Sequence, residues 1–261
     1  MDTTKITATF TTEDGKLLVL GQTSQIVILN RNSGELVKTL SFGEFSGKEV
    51  YAAWVNDDSN YQAHLVAVSP NGNLVVAGLG GSMRSWAKNL VLWNIKNKDH
   101  IAFLDGHHFS INAIAFTSDS RIIISLSSQD EMIKIWDTGN PISDLNSIHL
   151  KVPANALAVA PNSEFIVSGG AERKLTLWRL GNGNYFGEIP SFPAGWDMGR
   201  YAGEIITTLD FKADGTLIVG TMDDDVSFKY LGREPGHIYF AKIDPDNSGN
   251  KITILDQTIA S

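Results

Sequence analysis

Residues 106–137 open on Gly106-His107 and contain three short apolar segments. The first is Ile111-Asn112-Ala113-Ile114-Ala115-Phe116, closed by the turn Thr117-Ser118-Asp119-Ser120. The second is Ile122-Ile123-Ile124-Ser125-Leu126, followed by Ser127-Ser128-Gln129-Asp130. The third is Met132-Ile133-Lys134-Ile135-Trp136, ending on Asp137. Each is too short for an ordinary helix, and β-branched and aromatic residues are frequent in them. The stretch therefore reads as three antiparallel strands joined by tight polar turns.

The same arrangement recurs outward from it. Repeats are read at about 6–40, 64–104, 107–150, 154–189 and 205–257. Their first strands close on Phe10, Val68, Phe116, Val159 and Phe211. Turns such as Asp14-Gly15, Asn71-Gly72 and Asp214-Gly215 follow. The third strands are anchored at Leu29, Trp93, Trp136, Trp178 and Ala241, which lie 64, 43, 42 and 63 residues apart. The two middle spacings match a four-strand repeat of about 40–45 residues, the period of a β-propeller. The longer spacings place insertions at 43–63, 186–203 and 226–236, with a smaller one at 80–88. No amphipathic helix is expected beyond a short candidate at Gly47–Asn56.

On these residues the chain resembles the WD40-repeat family. Gly106-His107, Asp130 and Trp136-Asp137 stand at the motif positions, with Asp130 six residues before Trp136. The resemblance implies a hydrogen-bonded chain within one blade that joins Trp136, a strand serine, His107 and Asp130. The serine is Ser125, Ser127 or Ser128. Such a chain satisfies buried polar groups while both blade faces stay apolar. Trp93 and Trp178 mark the motif in two further repeats. They depart from it, with Asn94 and Arg179 in the place of Asp, and the fourth repeat has Glu172 at the turn and no Gly-His. The expected fold is all-β: one WD40-like β-propeller domain over residues 1–261, with five recognisable four-stranded repeats. Rings of the family usually have seven blades and close by mixing terminal strands in one blade. Here the strands begin with a first and end with a fourth. Three closures stay open: a five-bladed ring, an extra degenerate blade from 43–63, or an open propeller completed by a partner or a second copy. Uncovered blade faces and edges in water are avoided by natural proteins.

Composition narrows the function classes. There are 0 cysteines, which removes disulfide scaffolds, thiolate metal sites and thiol nucleophiles. The net charge of −8 argues against nucleic-acid binding, which runs on Lys/Arg clusters. No apolar run is long enough to span a bilayer. Met1-Asp2-Thr3-Thr4-Lys5 shows no signal-peptide pattern. A soluble, cytoplasmic protein without membrane attachment is expected.

Few constellations carry chemistry. His64, His100, His107, His108, His149 and His237 form no metal-ligand pair at helical spacing. No Gly-x-Ser-x-Gly elbow is present, so no catalytic residue is assigned and no enzyme is expected. No cofactor is implied. Asp244, Asp246 and Ser248 fall at the first, third and fifth positions of an EF-hand-like start, but Leu255 holds the twelfth. They read as a polar hairpin loop, with loose calcium binding as the weaker alternative. Asp223-Asp224-Asp225 reads as a solvated turn or as a contact for a basic partner. The insertions hold the partner-binding candidates Trp54, Arg84, Trp86, Tyr185, Phe192, Trp196 and Tyr201. Loops on a rigid scaffold carry function, and aromatics with Arg dominate interface hot spots. The alternative is that these aromatics cover the propeller's own faces. The expected function is a non-catalytic protein–protein interaction scaffold or adaptor subunit, with self-association as a further partner mode. A small-ligand or hydrolytic propeller is the rival.

Overall fold

The computed structural model describes residues 6–12, 15–22, 25–41, 62–80, 90–95, 100–139, 144–150, 153–170, 175–181, 184–189, 204–223, 237–244 and 251–259. Among them are twenty strands and no helix. The first sheet holds β1 (Ile6–Thr11), β2 (Leu17–Gln22), β3 (Gln25–Asn30) and β4 (Leu36–Ser41). The second holds β5 (Gln62–Val68), β6 (Leu74–Gly80), β7 (Leu90–Asn94) and β8 (His100–Leu104). The third holds β9 (Ala113–Phe116), β10 (Ile122–Ser127), β11 (Met132–Asp137) and β12 (Asp144–His149). The fourth holds β13 (Ala156–Val159), β14 (Phe165–Gly169), β15 (Leu175–Gly181) and β16 (Asn184–Ile189). The fifth holds β17 (Glu204–Phe211), β18 (Leu217–Asp223), β19 (His237–Asp244) and β20 (Lys251–Ile259). Every sheet is a meander in chain order. The chain packs as two compact units, 1–130 with 134–147 and 131–133 with 148–261. The helix candidate Gly47–Asn56 lies outside the described residues, as does most of each insertion.

One turn repeats between first and second strands. In the second sheet Ser69 N–H donates to the Leu74 carbonyl and Gly72 N–H to the Ser69 carbonyl. Thr12, Thr117 and Ala160 open equivalent turns, with Gly15, Ser120 and Ser163 in the place of Gly72. That place has positive φ in every sheet, held by Gly15, Gly72, Ser120, Ser163 and Gly215. Glycine suits it because a Cβ there is strained. The side chains of Asn71, Asp119, Asn162 and Asp214 accept the backbone N–H two residues on. This is why Asx residues recur at fixed offsets in the sequence.

The ladder corrects one anchor. Val68, Phe116 and Val159 lie opposite Val75, Ile123 and Ile166. In the first sheet it is Thr11 that lies opposite Leu18, whose third-strand partner is Leu29. Phe10 pairs with Val19 and so faces the other way. A slip of one residue reverses the face. A second difference concerns Asp223, read as part of a turn. It ends β18 and pairs with Glu204, while Asp224 and Asp225 lie outside the described residues.

In the first unit, the second sheet is buried on both faces. Val66, Val68, Val75, Ala77, Val91 and Trp93 pack with Val19 and Ile28 of the first sheet. Ala67, Leu74, Val76, Leu90 and Leu92 pack with Ile111, Ile123 and Trp136 of the third. Two covered faces explain why Leu74–Ala77 and Leu90–Trp93 run apolar without alternation. In the second unit, Val167, Leu175 and Leu177 meet Ile206, Leu209, Leu217 and Val219. Close approach needs a small residue on the second strand. A Cβ on Gly21 would lie 2.9 Å from the Ala63 carbonyl oxygen of the next sheet.

The meander also sorts the connections. Turns from first to second and from third to fourth strand leave one end of a sheet. Turns from second to third strand, and links to the next sheet, leave the other end. The connections 42–61, 81–89, 190–203 and 224–236, which carry the insertions, are all of the second kind.

Candidate functional site

The third sheet brings Trp136, Ser125, His107 and Asp130 together. β10 and β11 place Ser125 and Trp136 side by side, and the link after β8 lays His107 against them. Trp136 Nε1–H donates to Ser125 Oγ at 2.9 Å. Ser125 Oγ lies 2.9 Å from His107 Nε2, and His107 Nδ1 lies 3.0 Å from Asp130 Oδ2. Indole is a donor only and carboxylate an acceptor only, so the chain runs one way. The serine hydroxyl donates to Nε2, and Nδ1–H donates to Asp130. Trp136 and Ser125 are both 0% exposed.

Of the three candidate serines, Ser125 is the one in the chain. Ser127 Oγ accepts the Asp130 N–H at 3.3 Å. Ser128 N–H donates to Asn112 Oδ1 at 2.6 Å. Asp130 also accepts the backbone N–H of His108 at 3.1 Å and of Phe109 at 3.2 Å. It thereby pins the link 105–112. Gly106 fits because a Cβ there would lie 3.1 Å from Lys134 Cε and 3.3 Å from the Trp136 ring. Lys134 is buried, with Nζ donating to Ser147 Oγ at 3.0 Å. Asp137 stands apart and accepts the Gly139 N–H at 2.8 Å.

Burial lowers the His107 pKa, outweighing the raising effect of Asp130. Burial pushes Asp130 upward, but hydrogen bonds from His107, Ser127 and Phe109 prevail and hold it at about 2. A neutral histidine thus bridges a serine and a carboxylate. That connectivity is also the one of a Ser-His-Asp hydrolase triad. Here the Ser125 oxygen is sealed from solvent and already accepts the indole N–H. It has no path to a substrate carbonyl, so the arrangement does structural work.

The other sheets carry parts of this set. Trp178 Nε1–H donates to Ser168 Oγ at 3.0 Å, the counterpart of the Trp136–Ser125 bond. Glu172 lies outside the described residues. Trp93 is buried opposite Val75, and Ala77 replaces the serine. Trp54, Arg84, Trp86, Phe192, Trp196 and Tyr201 lie outside the described residues, as do Asp246 and Ser248. Tyr185 sits in β16, its backbone opposite Leu180. Asp244 ends β19 opposite Lys251. Among the described residues no three His, Cys, Asp or Glu side chains gather as a metal site. Among the described residues there is no helix long and apolar enough to cross a membrane. One surface residue escaped the sequence reading. Phe109 is 43% exposed, and no insertion marks it. Its only signal is its place two residues after Gly106-His107.

The family model for the WD domain, G-beta repeat, matches residues 98–137 and 143–179. These spans include Trp136 with Asp130 and Trp178. These two spans are WD40 repeats, which supports the WD40-repeat family for the chain. Its relatives include the CCR4-associated factor 4 homolog of Candida glabrata, 28% identical over 116 residues, which cover 41% of this chain and 20% of that protein. The WD repeat-containing protein WDS homolog of Arabidopsis thaliana is 24% identical over 141 residues, 54% of this chain and 24% of that protein. The matched region thus spans less than a third of either relative. Among solved structures, Kuenenia stuttgartiensis hydrazine synthase aligns with a TM-score of 0.68 and 12% identity, over 98% of this chain and 67% of that one. That likeness concerns the fold alone, and the fold is a β-propeller. WD40 proteins in general are non-catalytic scaffolds that bind other proteins.

The polar chain sets two expectations. Trp136→Ala removes a fully buried indole and leaves Ser125 without its donor. It should cost about 3–5 kcal/mol in a chemical denaturation curve. A wild-type midpoint would refute the assignment of Trp136 to the core.

Acid should destabilise the fold in two stages. The lowered His107 pKa means that the unfolded chain takes up a proton first as pH falls through 6.5. The lowered Asp130 pKa gives stability that is present above 3.8 and lost as pH falls towards about 2. Asp130→Asn should flatten the second stage in denaturation curves taken from pH 7 downward. An unchanged slope below pH 4 would show that Asp130 is not its source.

Proposed function

We propose that this chain is a non-catalytic interaction scaffold, an adaptor subunit within a larger complex. The observation that carries the reading is the sorting of its connections. Connections of two to six residues close one end of each sheet, while every connection longer than that leaves from the other end. A rigid framework with variable segments at one end suits binding by surface loops. Trp54, Trp86, Arg84, Phe192, Trp196 and Tyr201 supply the anchors there, with acidic surroundings steering basic partners, while Tyr185, next to the turn between β15 and β16, belongs to the other end. The Candida glabrata relative is by name an associated factor, which agrees with such a role. The reading treats residues 1–261 as one domain, in the cytoplasm, with no cofactor, no membrane contact and no nucleic acid. The test is co-purification from native lysate followed by mass spectrometry. Trp196→Ala should lose captured protein at an unchanged unfolding midpoint. Intact capture with a large loss of stability would make Trp196 a core residue instead.

Self-association is the second reading. It is favoured by the face of the first sheet turned away from the second. There Leu18, Leu20, Val27 and Leu29 are only half-buried and Leu36 is 63% exposed. Light scattering on the size-exclusion peak should then report a mass above 28.4 kDa. A stable monomer at micromolar concentration would overturn this second reading and leave the scaffold reading in place.

A further inference from the structure

At the end of the first unit from which the long connections leave, the described residues hold an exposed aromatic side chain that the insertions do not supply. Phe109 is 43% exposed, yet its backbone is fixed. Its N–H donates to Asp130 Oδ2 at 3.2 Å, and the His108 N–H donates to the same carboxylate at 3.1 Å. Asp130 is in turn held by the buried His107 at 3.0 Å. An exposed ring on a pinned backbone loses little conformational freedom when it is covered, which is what a binding anchor requires.

The charges around it are uneven. Asp105, which opens the link after β8, is exposed. Among the described residues of this unit, Lys16, Arg31 and Arg121 all sit in turns at the opposite end of their sheets. That end is shared between sheets: the Asn71 N–H reaches Ser120 Oγ at 3.1 Å, and Lys38 Nζ reaches the Ile95 carbonyl at 2.6 Å. Lys134 is buried, with Nζ bonded to Ser147. Among the described residues of the first unit, the Phe109 end thus presents an aromatic face and a carboxylate while the exposed cations lie at the far end; Arg84, on the 81–89 connection of the Phe109 end, lies outside the described residues.

We propose that Phe109, presented by the Asp130-pinned link, is the anchor for a protein segment that places an apolar side chain next to Lys or Arg. The apolar group covers the ring. The cation lies over the exposed ring face, where attraction to the π-system adds to the field of Asp105 on the same link. This deepens the scaffold reading and rests on it.

The test uses the full chain on an array of short peptides that carry Arg or Lys beside Leu or Phe. Acidic and uncharged sets of matched length serve as controls. The wild-type chain should retain the basic-apolar set, and less so at high salt. Phe109→Ala should weaken that binding about tenfold or more at an unchanged unfolding midpoint. Asp105→Asn should weaken it several-fold and flatten the salt dependence. Equal retention of the acidic set, or wild-type binding by Phe109→Ala, would overturn the proposal. Capture of the same lysate partners by Phe109→Ala but not by Trp196→Ala would overturn it and leave the scaffold reading standing. A blank array together with no co-purifying protein would overturn both.

Discussion

A four-stranded meander has two faces, and a sheet that is apolar on both must be covered twice. The second sheet shows the constraint most directly. Val75 and Ala77 point into one neighbour, Leu74 and Val76 into the other. None of Leu74–Ala77 or Leu90–Trp93 can turn polar without opening an interface between sheets. Burial on this scale drives folding, at about 25 cal/mol for each Å² of apolar surface removed from water. It also fixes the spacing between sheets. Gly21 shows the fit, since a methyl group there would strike the Ala63 carbonyl of the next sheet.

A core this apolar has difficulty housing a tryptophan. The indole fills volume that a leucine does not, but its N–H must find an acceptor. In the third sheet Ser125 provides it; the serine hydroxyl donates in turn to His107, and His107 Nδ1–H donates to Asp130. Each member satisfies the next, and the chain ends on a carboxylate near the surface. In the fourth sheet Ser168 accepts the Trp178 indole in the same way. In the second sheet Ala77 stands at the serine position. The polar chain is therefore a feature of particular sheets, while sheet-on-sheet burial is common to both units.

Asp130 links this interior to the surface. The same carboxylate that ends the buried chain holds the backbone of His108 and Phe109. Core and rim are thus coupled through one side chain. Disturbing the carboxylate would loosen the tryptophan's support and the presentation of the exposed ring together.

Much of this was legible in the sequence because sheet hydrogen bonds here join chain neighbours. The period of the anchors, the Asx turns and the pairing of Asp130 with Trp136 are all local, so the repeat could be read from spacing. Local pattern was insufficient at three points. Phe10 and Thr11 are adjacent, and only the ladder shows that Thr11 lies opposite Leu18. Ser125 and Ser127 share a face of β10, so alternation cannot choose between them. The choice depends on where His107, eighteen residues before Ser125, comes to rest. Phe109 carries no pattern at all, and its exposure depends on Asp130 holding the link in place. The sequence alone determined strands, turns and repeat, because these follow from side-chain periodicity and backbone geometry. The tertiary structure alone decided which side chain met which, because that depends on contacts across sheets and links that no local period encodes.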